Sequence, residues 1–368
     1  MTLAFAASLL LGGCLLGLAL WTAERRRRAP LLPAPDPHPA GDVTVLLPVR
    51  DEEHHVTACV ESLVTQTAAP VVRVVDDGST DATASRVTAM MESWPRLELI
   101  PAGPLPEGWR GKVHALWSGS RDLRTPWLLL TDADTRHHPE ALARARAAAT
   151  ERGLDLVSLA GRQEARGLGE NLLIPPVFAL LDFLLGSWEA AAEGRGPAIA
   201  NGQYILLRRE TWEKAGGFAT VRAAPLDDVA IAARVRAAGG RTAFLRAPDL
   251  LRVRMYEGIG EALRGWRRNL GGLYGGRPGM VAATLAAVLL PPLALAAALL
   301  TGHRLEAAVL WSAGAASSML LRSGSRNAPL WGLLYPFDAL LLSATLLLGT
   351  LDRRRGRLVS WKGREMKV

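Results

Sequence analysis

The sequence is nearly without cysteine, with two in 368 residues. So few thiols exclude the class of folds that disulfide bonds hold together. Cys14 falls in an apolar run and Cys59 in a predicted helix, and no second cysteine lies near either of them. This thiol usage is typical of a protein in a reducing compartment.

Charge is scarce as well: 21% of the residues are charged and 49% are hydrophobic. This balance excludes an intrinsically disordered chain. The net charge of +8 would suit a nucleic-acid-binding protein, but the arginines cluster at residues 25–28 and 353–357, beside apolar segments. Arginines in such places are typical of membrane-topology signals. We therefore expect a membrane, and no nucleic acid, as a partner.

Two nucleotide-binding motifs are missing too. The turn after the first predicted strand (residues 48–51) reads PVRD, which excludes the glycine-rich G-x-G-x-x-G fingerprint of a dinucleotide-binding domain. Gly111 and Lys112 resemble the end of a phosphate-binding P-loop. However, Val113 stands where Ser or Thr should hold magnesium, and Pro106 stands at the first glycine position.

Long apolar runs are present at both ends of the chain. Residues 3–21 carry no charge and are about long enough to span a bilayer, and residues 25–28 follow as RRRR. A signal peptide would have the reverse order, so residues 1–28 are predicted to be an uncleaved anchor with its N-terminus outside. Residues 29–41 are predicted to be a proline-rich linker.

The C-terminal part holds three apolar segments, near residues 280–300, 305–321 and 328–351, within a membrane region of residues 271–351. Three full spans after a cytoplasmic domain would leave the basic tail (residues 352–368) outside, although its charge favours the inside. The middle segment contains Glu306 and ends at Arg322, so we expect it to be re-entrant or interfacial. The chain is predicted to be a multi-pass protein of the cell (inner) membrane with a cytoplasmic catalytic domain.

Another apolar stretch, residues 172–188, lies inside the soluble region. Pro175 and Pro176 interrupt it and Asp182 adds a charge, so it is not predicted to span the membrane. It is interpreted as a core or substrate-loop helix, with a lipid-facing wall of an acceptor site as the alternative.

Residues 42–270 alternate between strand and helix patterns. Strands are predicted at residues 43–48, 71–75, 97–100 and 127–131, and helices at residues 53–67, from 81, 112–121 and 139–150. This alternation predicts an α/β fold with a Rossmann-like, mostly parallel sheet flanked by helices. Ligands of such sheets bind at the carboxyl ends of the strands.

Acidic residues follow three of the predicted strands. They are Asp51, Glu52, Asp76, Asp77, Asp132 and Asp134. One acidic turn alone would be explained as a solvated loop or a helix cap. Several carboxylates at one sheet edge repel each other and need cations or hydrogen-bond donors. The sequence therefore predicts a site for a metal and a polar ligand there.

Six segments in order now become informative: VTVLLPVRDEE (43–53), VVDDGSTDAT (74–83), RGKVHAL (110–116), LLLTDADT (128–135), ANGQYILLRRETWEKAGGF (200–218) and PLDDVAIAARVRAAGG (225–240). Together they resemble an inverting family 2 glycosyltransferase of the GT-A fold, anchored in the membrane, over residues 42–270. The C-terminal apolar segments and VSWKGR (359–364) are similar to bacterial members associated with lipid, hopanoid and carotenoid pathways.

The resemblance implies a nucleotide-diphosphate sugar as donor, expected to be a UDP-sugar, and a divalent metal (Mg or Mn) as cofactor. It implies that Asp77 contacts the base beside Asp76, and that Asp134, helped by Asp132, holds the metal on the diphosphate. Lys112 matches a GK motif and would support the nucleotide, with an ordinary lysine at a helix start as the alternative. The implied substrate-binding residues are Pro48, Arg50, Glu52, Asp76, Asp77, Lys112, Asp132, Arg264 and Trp266.

Asp227 and Asp228 stand where the family has Glu-Asp. The resemblance assigns Asp228 as the general base that takes the proton of the acceptor hydroxyl, with Asp227 supplying a like charge that raises its pKa. The alternative is structural, because an aspartate in the first turn of a helix is favourable in itself.

One departure concerns the Q-x-x-R-W motif of processive members. Residues 262–266 read ALRGW, so Trp266 aligns while Arg264 is one position off. Both are predicted to contact diphosphate or acceptor, and an interfacial helix is the alternative.

The departure from the processive motif favours transfer of one sugar to a lipid-soluble acceptor of the terpenoid, carotenoid, hopanoid or polyisoprenoid type. The alternatives are a processive polysaccharide synthase and a non-catalytic nucleotide-sugar-binding membrane scaffold, although the intact Asp134 and Asp228 count against the scaffold.

Overall fold

A computed structural model describes residues 3–32, 41–185, 188–224, 226–356, 358–361 and 364–367. The chain divides into two compact units. Residues 28–162 and 187–253 form the sheet unit, and residues 1–27, 163–186 and 254–368 form the helical unit. Most of the predicted proline-rich linker, residues 33–40, lies outside the described residues.

The described residues form the following elements. The helices are α1 (Leu3–Arg28), α2 (Val56–Val64), α3 (Thr83–Met91), α4 (Gly111–Ser120), α5 (Ala141–Glu151), α6 (Gly167–Leu185), α7 (Trp188–Ala192), α8 (Arg209–Lys214), α9 (Asp227–Ala237), α10 (Ile259–Gly272), α11 (Pro278–Leu300), α12 (Arg304–Gly324) and α13 (Tyr335–Arg354). The strands are β1 (Val43–Val49), β2 (Val71–Asp76), β3 (Leu97–Pro101), β4 (Trp127–Leu130), β5 (Thr135–His137), β6 (Leu156–Ala160), β7 (Arg162–Gln163), β8 (Ile205–Arg208), β9 (Thr242–Arg246), β10 (Leu251–Val253), β11 (Leu358–Trp361) and β12 (Arg364–Lys367). Short 3₁₀ segments cover Phe218–Val221 and Pro329–Leu334.

The main sheet has seven strands in the order β3-β2-β1-β4-β8-β6-β9. Strands β3, β2, β1 and β4 are parallel, β8 is antiparallel to both its neighbours, and β6 is parallel to β9. Strand β4 is buried along its whole length, which explains its unbroken apolar run WLLL. The predicted mostly parallel α/β sheet is confirmed.

Helix α4 lies against β1 and β2 at very short range. A Cβ atom at Gly119 would stand 2.5 Å from Cγ2 of Val75 and 3.2 Å from Cδ2 of Leu46. Only glycine allows this approach, and it fixes where the first turn of α4 lies relative to the strand ends. The predicted helix at residues 112–121 is confirmed.

A second, three-stranded sheet has the order β5-β10-β7. Strands β5 and β10 are antiparallel, with Arg252 paired to Arg136 and Leu251 paired to His137. Strand β5 follows the acidic turn after β4, so this small sheet begins where the predicted metal motif ends.

Among its described residues, the helical unit contains four helices long and apolar enough to cross a membrane: Leu3–Arg28, Gly167–Leu184, Pro278–Leu300 and Pro329–Arg354. The predicted interruption at residues 172–188 is wrong, because α6 continues through Pro175 and Pro176. Leu173 and Val177, on either side of the prolines, are fully buried in the core of this unit. That packing holds the helix together where proline removes backbone hydrogen bonds.

The predicted middle segment (residues 305–321) forms a complete helix, α12, which is not among those four. Small residues pack it against α1, since a Cβ at Gly12 would lie 3.1 Å from Cβ of Ala313. The last apolar segment is broken, with a 3₁₀ segment at Pro329–Leu334 before α13 begins.

Domain boundaries predicted from sequence differ from the compact units. The predicted catalytic domain, residues 42–270, is continuous, whereas residues 163–186 and 254–270 pack within the helical unit. Their apolar side chains, such as Leu173 and Trp266, share one core there. A sequence pattern shows that a segment is apolar, but it does not show in which unit the segment packs.

Candidate active site

The loops after β1 and β2 interlock at the sheet edge. Asp51 adopts a left-handed conformation (φ 49°), and its Oδ1 accepts a hydrogen bond from the backbone N–H of Thr80 at 2.8 Å. In return, the backbone N–H of Asp51 donates to Oγ of Ser79 at 3.0 Å. Asp76 accepts from the backbone N–H of Ser79 at 3.0 Å. These carboxylates therefore shape the two loops.

Asp77 stands at the centre of this loop pair. Its backbone N–H donates to the carbonyl of Val49 at 2.9 Å, and its carbonyl accepts from Nη1 of Arg50 at 2.8 Å. The residue is 7% exposed. Arg50 and Asp77 thus link the carboxyl ends of β1 and β2.

The acidic turn after β4 rests on a buried polar network. Oγ1 of Thr135 donates to the carbonyl of Asp132 at 2.7 Å and lies 2.9 Å from Nε2 of His137. Thr131 donates to the carbonyl of Gln203 at 2.8 Å and lies 3.1 Å from the same imidazole nitrogen. Burial, with the nearby Arg136, lowers the pKa of His137 to about 3, so the imidazole is neutral. The network positions the turn that carries Asp132 and Asp134.

Lys112, in the first turn of α4, is the cation of the site. Its Nζ lies 2.7 Å from Oδ1 of Asp132 and 3.6 Å from Oδ2 of Asp227. Burial opposes the charge of this ammonium, but Asp132 and Asp227 outweigh it and raise its pKa above the ordinary value. Lys112 therefore stays protonated and joins the turn after β4 to the start of α9.

Asp228 is the carboxylate of this cluster whose pKa is raised. Burial first, and then repulsion from Asp227, raise its pKa to about 6, although Lys112 and backbone N–H groups oppose the rise. Its Oδ2 accepts from the N–H of Gly202 at 3.1 Å and its Oδ1 from the N–H of Val229 at 2.8 Å. A carboxylate of this pKa is ionised at neutral pH and still has a useful affinity for a proton.

Gly202 is a functional position to which the sequence patterns assign no role. A Cβ there would lie 2.8 Å from Nζ of Lys112, 3.5 Å from Oδ2 of Asp132 and 3.8 Å from Oδ2 of Asp228. Three charged groups therefore converge on one point, and the missing side chain leaves room for them. The available signal was the segment ANGQY (200–204), which fits a close backbone approach.

The described residues contain no group of three or more His, Cys, Asp or Glu side chains placed to hold a metal by themselves. This fits a cation shared with a substrate: magnesium commonly binds through one or two carboxylates and the substrate's phosphates. The hard oxygen donors of Asp132 and Asp134 suit such an ion. Asp132 also forms an ion pair with Lys112, which fixes the position of its carboxylate in the site.

The predicted residues thus form two hydrogen-bonded or ion-paired groups. One group, on the loops after β1 and β2, contains Arg50, Asp51, Asp76 and Asp77; the other contains Lys112, Asp132, Asp227 and Asp228. Pro48 lies on β1, paired with Val75, and the backbone N–H of Glu52 donates to Thr83 at 2.8 Å. Because β2, β1 and β4 are adjacent in the sheet, all these strand ends lie along one edge.

Arg264 and Trp266 belong to α10 in the helical unit. Trp266 is 4% exposed and meets Phe178 edge-on, with ring centroids 5.4 Å apart. The ring centroid of Tyr256 lies 6.2 Å from that of Trp266. This packing gives the tryptophan a structural role, and a role of either residue in substrate binding stays a prediction.

Comparisons with known proteins agree with this arrangement. Residues 127–351 match the family described as "Glycosyl transferase family group 2", and residues 44–182 match "Glycosyl transferase family 2". No curated protein matches the sequence.

Among solved structures, the chain is similar to a mannosyltransferase from Pyrobaculum calidifontis in complex with GDP-Man and Mn²⁺. The two are 24% identical with a TM-score of 0.57, over 95% of this chain and 98% of that one. A glucosyl-3-phosphoglycerate synthase from M. tuberculosis is 22% identical with a TM-score of 0.40, over 63% of this chain and 79% of that one. The first likeness shows a common fold.

Proposed function

The chain belongs to glycosyl transferase family group 2, and from that membership we propose that it moves one sugar from a nucleotide-diphosphate sugar to a lipid-soluble acceptor, with inversion at the anomeric carbon. The observation that carries this proposal is the cluster of Lys112, Asp132, Asp227 and Asp228 at the carboxyl edge of the sheet. It provides a carboxylate base of raised pKa beside groups suited to a diphosphate.

The reaction is a single displacement. The acceptor hydroxyl oxygen attacks the anomeric carbon, the bond from that carbon to the diphosphate oxygen breaks, and the hydroxyl proton passes to a carboxylate oxygen of Asp228. A pKa of about 6 suits this step, because a base with too low a pKa accepts a proton poorly and one with too high a pKa is already protonated. The backbone N–H of Gly202 holds Oδ2 of Asp228 in place.

The donor would lie along the strand ends, with Asp77 and Arg50 at the base and Lys112 at the diphosphate. Asp134 and Asp132 would hold a divalent metal (Mg or Mn), which offsets the charge that develops on the departing diphosphate. The mannosyltransferase of the same fold was solved with Mn²⁺ and a nucleotide sugar, which supports this cofactor. A UDP-sugar remains our expected donor.

The lipid acceptor is supported by the helical unit taken alone. A cavity of about 410 Å³ lies among α1, α6, α11, α12 and α13, and most of its lining is apolar. Pro291 and Leu342 line it, and Arg322 and Asp338 add a polar part to the wall. Such a cavity has room for part of a hydrocarbon chain. It favours a terpenoid, carotenoid, hopanoid or polyisoprenoid acceptor. The four apolar helices and the arginines beside them support a multi-pass location in the cell (inner) membrane with the catalytic domain in the cytoplasm.

Product analysis tests the proposal directly. Full-length protein in lipid nanodiscs would receive radiolabelled UDP- and GDP-sugars with Mn²⁺ and a total lipid extract as the acceptor source. We expect label in the organic phase, in a product whose mass exceeds that of the acceptor by one sugar residue. Asp228→Asn protein is the matched control and should give almost no label. Water-soluble labelled polymer would contradict the single-transfer proposal, and the absence of transfer from every donor would contradict the enzyme assignment.

A further inference from the structure

A separate cavity of about 310 Å³ lies in the sheet unit, beside the three-stranded sheet. Its charged lining comes from Arg136 on β5, Arg162 on β7, Arg252 on β10, and Asp249 in the turn before β10. We name it the arginine cavity. None of its lining residues belongs to the acidic cluster (Lys112, Asp132, Asp227 and Asp228) or to the loops after β1 and β2.

Like charges face each other in this cavity. Arg136 and Arg252 occupy directly opposed positions on antiparallel strands, an arrangement that is destabilising for two cations. Arg162 adds a third guanidinium from β7, in the same three-stranded sheet. Asp249 is the one carboxylate in the lining, so two positive charges remain in excess.

Two of the lining residues also carry polar atoms that lack partners. Within the part of the chain that the structure describes, Nε of Arg162 and Nδ1 of His137 are buried and make no hydrogen bond. His137 is 5% exposed and lines the cavity. Neither Arg136 nor Arg162 forms an ion pair with a described residue, and the side chain of Arg136 donates only to the carbonyls of Ala133 and Thr135. A buried donor without an acceptor is costly, which points to a ligand that supplies one.

We propose that the arginine cavity binds a phosphate group. A phosphate monoester carries between one and two negative charges at neutral pH and has three terminal oxygens, which matches the two excess positive charges and the several guanidinium donors. Arginine forms paired hydrogen bonds to such oxygens. Two sources share this chemistry: a free phosphate and the headgroup of a phosphomonoester lipid.

The test measures binding to the full-length protein in a non-ionic detergent, by calorimetry. The probes are inorganic phosphate and dihexanoyl phosphatidic acid, with dihexanoyl phosphatidylcholine as a zwitterionic control lipid. The variants are Arg162→Gln and Arg252→Gln, and the matched control is Arg234→Gln, an exposed arginine on α9 outside the cavity. Near-UV circular dichroism of each protein shows that it is folded, and UDP and GDP binding with Mn²⁺ shows whether its donor site is intact.

We expect the two cavity variants to bind a phosphate probe about tenfold more weakly or worse, because each loses a charge-assisted hydrogen bond. Arg234→Gln should stay within about twofold of the unsubstituted protein, since it lies outside the cavity. Phosphatidic acid binding that inorganic phosphate does not displace would assign the site to a lipid headgroup, and equal competition would assign it to free phosphate. Either result supports the proposal.

Three results would overturn it: no phosphate probe binds, the cavity variants bind like the control, or phosphatidylcholine binds as well as phosphatidic acid. Parallel loss of nucleoside diphosphate binding in Arg162→Gln and Arg252→Gln would also overturn it, because the cavity would then be part of the donor site. None of these measurements uses sugar transfer, so the proposal fails or stands independently of the proposed function.

Discussion

Buried charge is arranged differently in the helical unit and in the acidic cluster of the sheet unit. In the helical unit four arginines each have a carboxylate of their own: Arg26 pairs with Asp182, Arg254 with Glu170, Arg267 with Asp352, and Arg322 with Asp338. In the sheet unit the acidic cluster gathers Asp132, Asp227 and Asp228 around the single ammonium of Lys112. Charge is balanced pair by pair in these four contacts and left negative in the acidic cluster.

The difference separates structural from functional charge. Arg322 donates to Asp338, to Ser318 and to the carbonyl of Asn171, so its hydrogen bonds are used within the fold. A matched pair of this kind needs nothing from outside. The excess of carboxylate in the acidic cluster raises the pKa of Asp228 and creates a demand for a further cation, which a metal and a substrate can meet.

The largest effect is expected from removing a metal ligand. Asp134→Asn takes one negative charge from the proposed metal site, and the metal's stabilisation of a departing diphosphate amounts to several kcal/mol, so transfer should fall by about 10³-fold. EDTA should do the same to the unsubstituted protein, and Mg²⁺ or Mn²⁺ should restore the rate. Full turnover in excess EDTA would show that the carboxylate excess does not serve a metal.

A smaller effect, on stability rather than rate, should follow from breaking a matched pair. Arg322→Met leaves Asp338 buried without its cation and should destabilise the helical unit by about 3–5 kcal/mol. The double variant Arg322→Met/Asp338→Leu should recover most of that loss, because no buried charge is left alone. Thermal unfolding in detergent measures both.

The matched control for this experiment is Arg304→Met, at the exposed start of α12. It should change stability little, as surface substitutions usually do. If Arg322→Met unfolded at the same temperature as the control, the pair would not have the structural role that the comparison gives it.

The unmatched charge of the acidic cluster should affect how the transfer rate and the stability depend on pH. Asp228 must be ionised to accept a proton, so the transfer rate should fall about tenfold per pH unit below a pH near 6. Stability has the opposite pH dependence. The pKa of Asp228 in the folded state lies above its ordinary value, so the stability that its protonated carboxyl contributes is lost as the pH rises through about 6. Rate and unfolding temperature, measured from pH 4.5 to 7.5 with and without Asp228→Asn, check both slopes. A rate independent of pH in this range would contradict the assignment.

The sequence predicts the sheet better than the membrane helices. Strands β1, β2, β3 and β4 were predictable because each is a short run rich in apolar residues and is followed by a turn. Their order put the acidic residues at one edge. The continuity of α6 was not predictable, because Pro175 and Pro176 read as a break and only tertiary packing of Leu173 and Val177 compensates. A propensity is local, whereas that compensation comes from other helices.

Within the site, the charged residues could be predicted from the sequence, whereas the residues that hold them in place could not. Asp132, Lys112 and Asp228 were expected from the resemblance to family 2 glycosyltransferases, and the structure gathers them around Gly202. The neutral His137 and the hydroxyl of Thr135 beneath the acidic turn could not be foreseen, because their roles depend on contacts between β5 and the residues around β4. Such contacts join elements that carry no shared pattern in the sequence.

The central claim is that Asp228 acts as the base and is not merely a favourable residue at a helix start. The most direct measurement compares Asp228→Asn with Asp227→Asn in transfer rate and in nucleoside diphosphate affinity. We predict that Asp228→Asn lowers transfer by about 10²–10⁴ and leaves that affinity within a few-fold, whereas Asp227→Asn is milder because it only alters its neighbour's pKa. A helix-start role would give two similar, mild variants. Asp228→Asn protein that kept more than about a tenth of the normal rate would contradict the account.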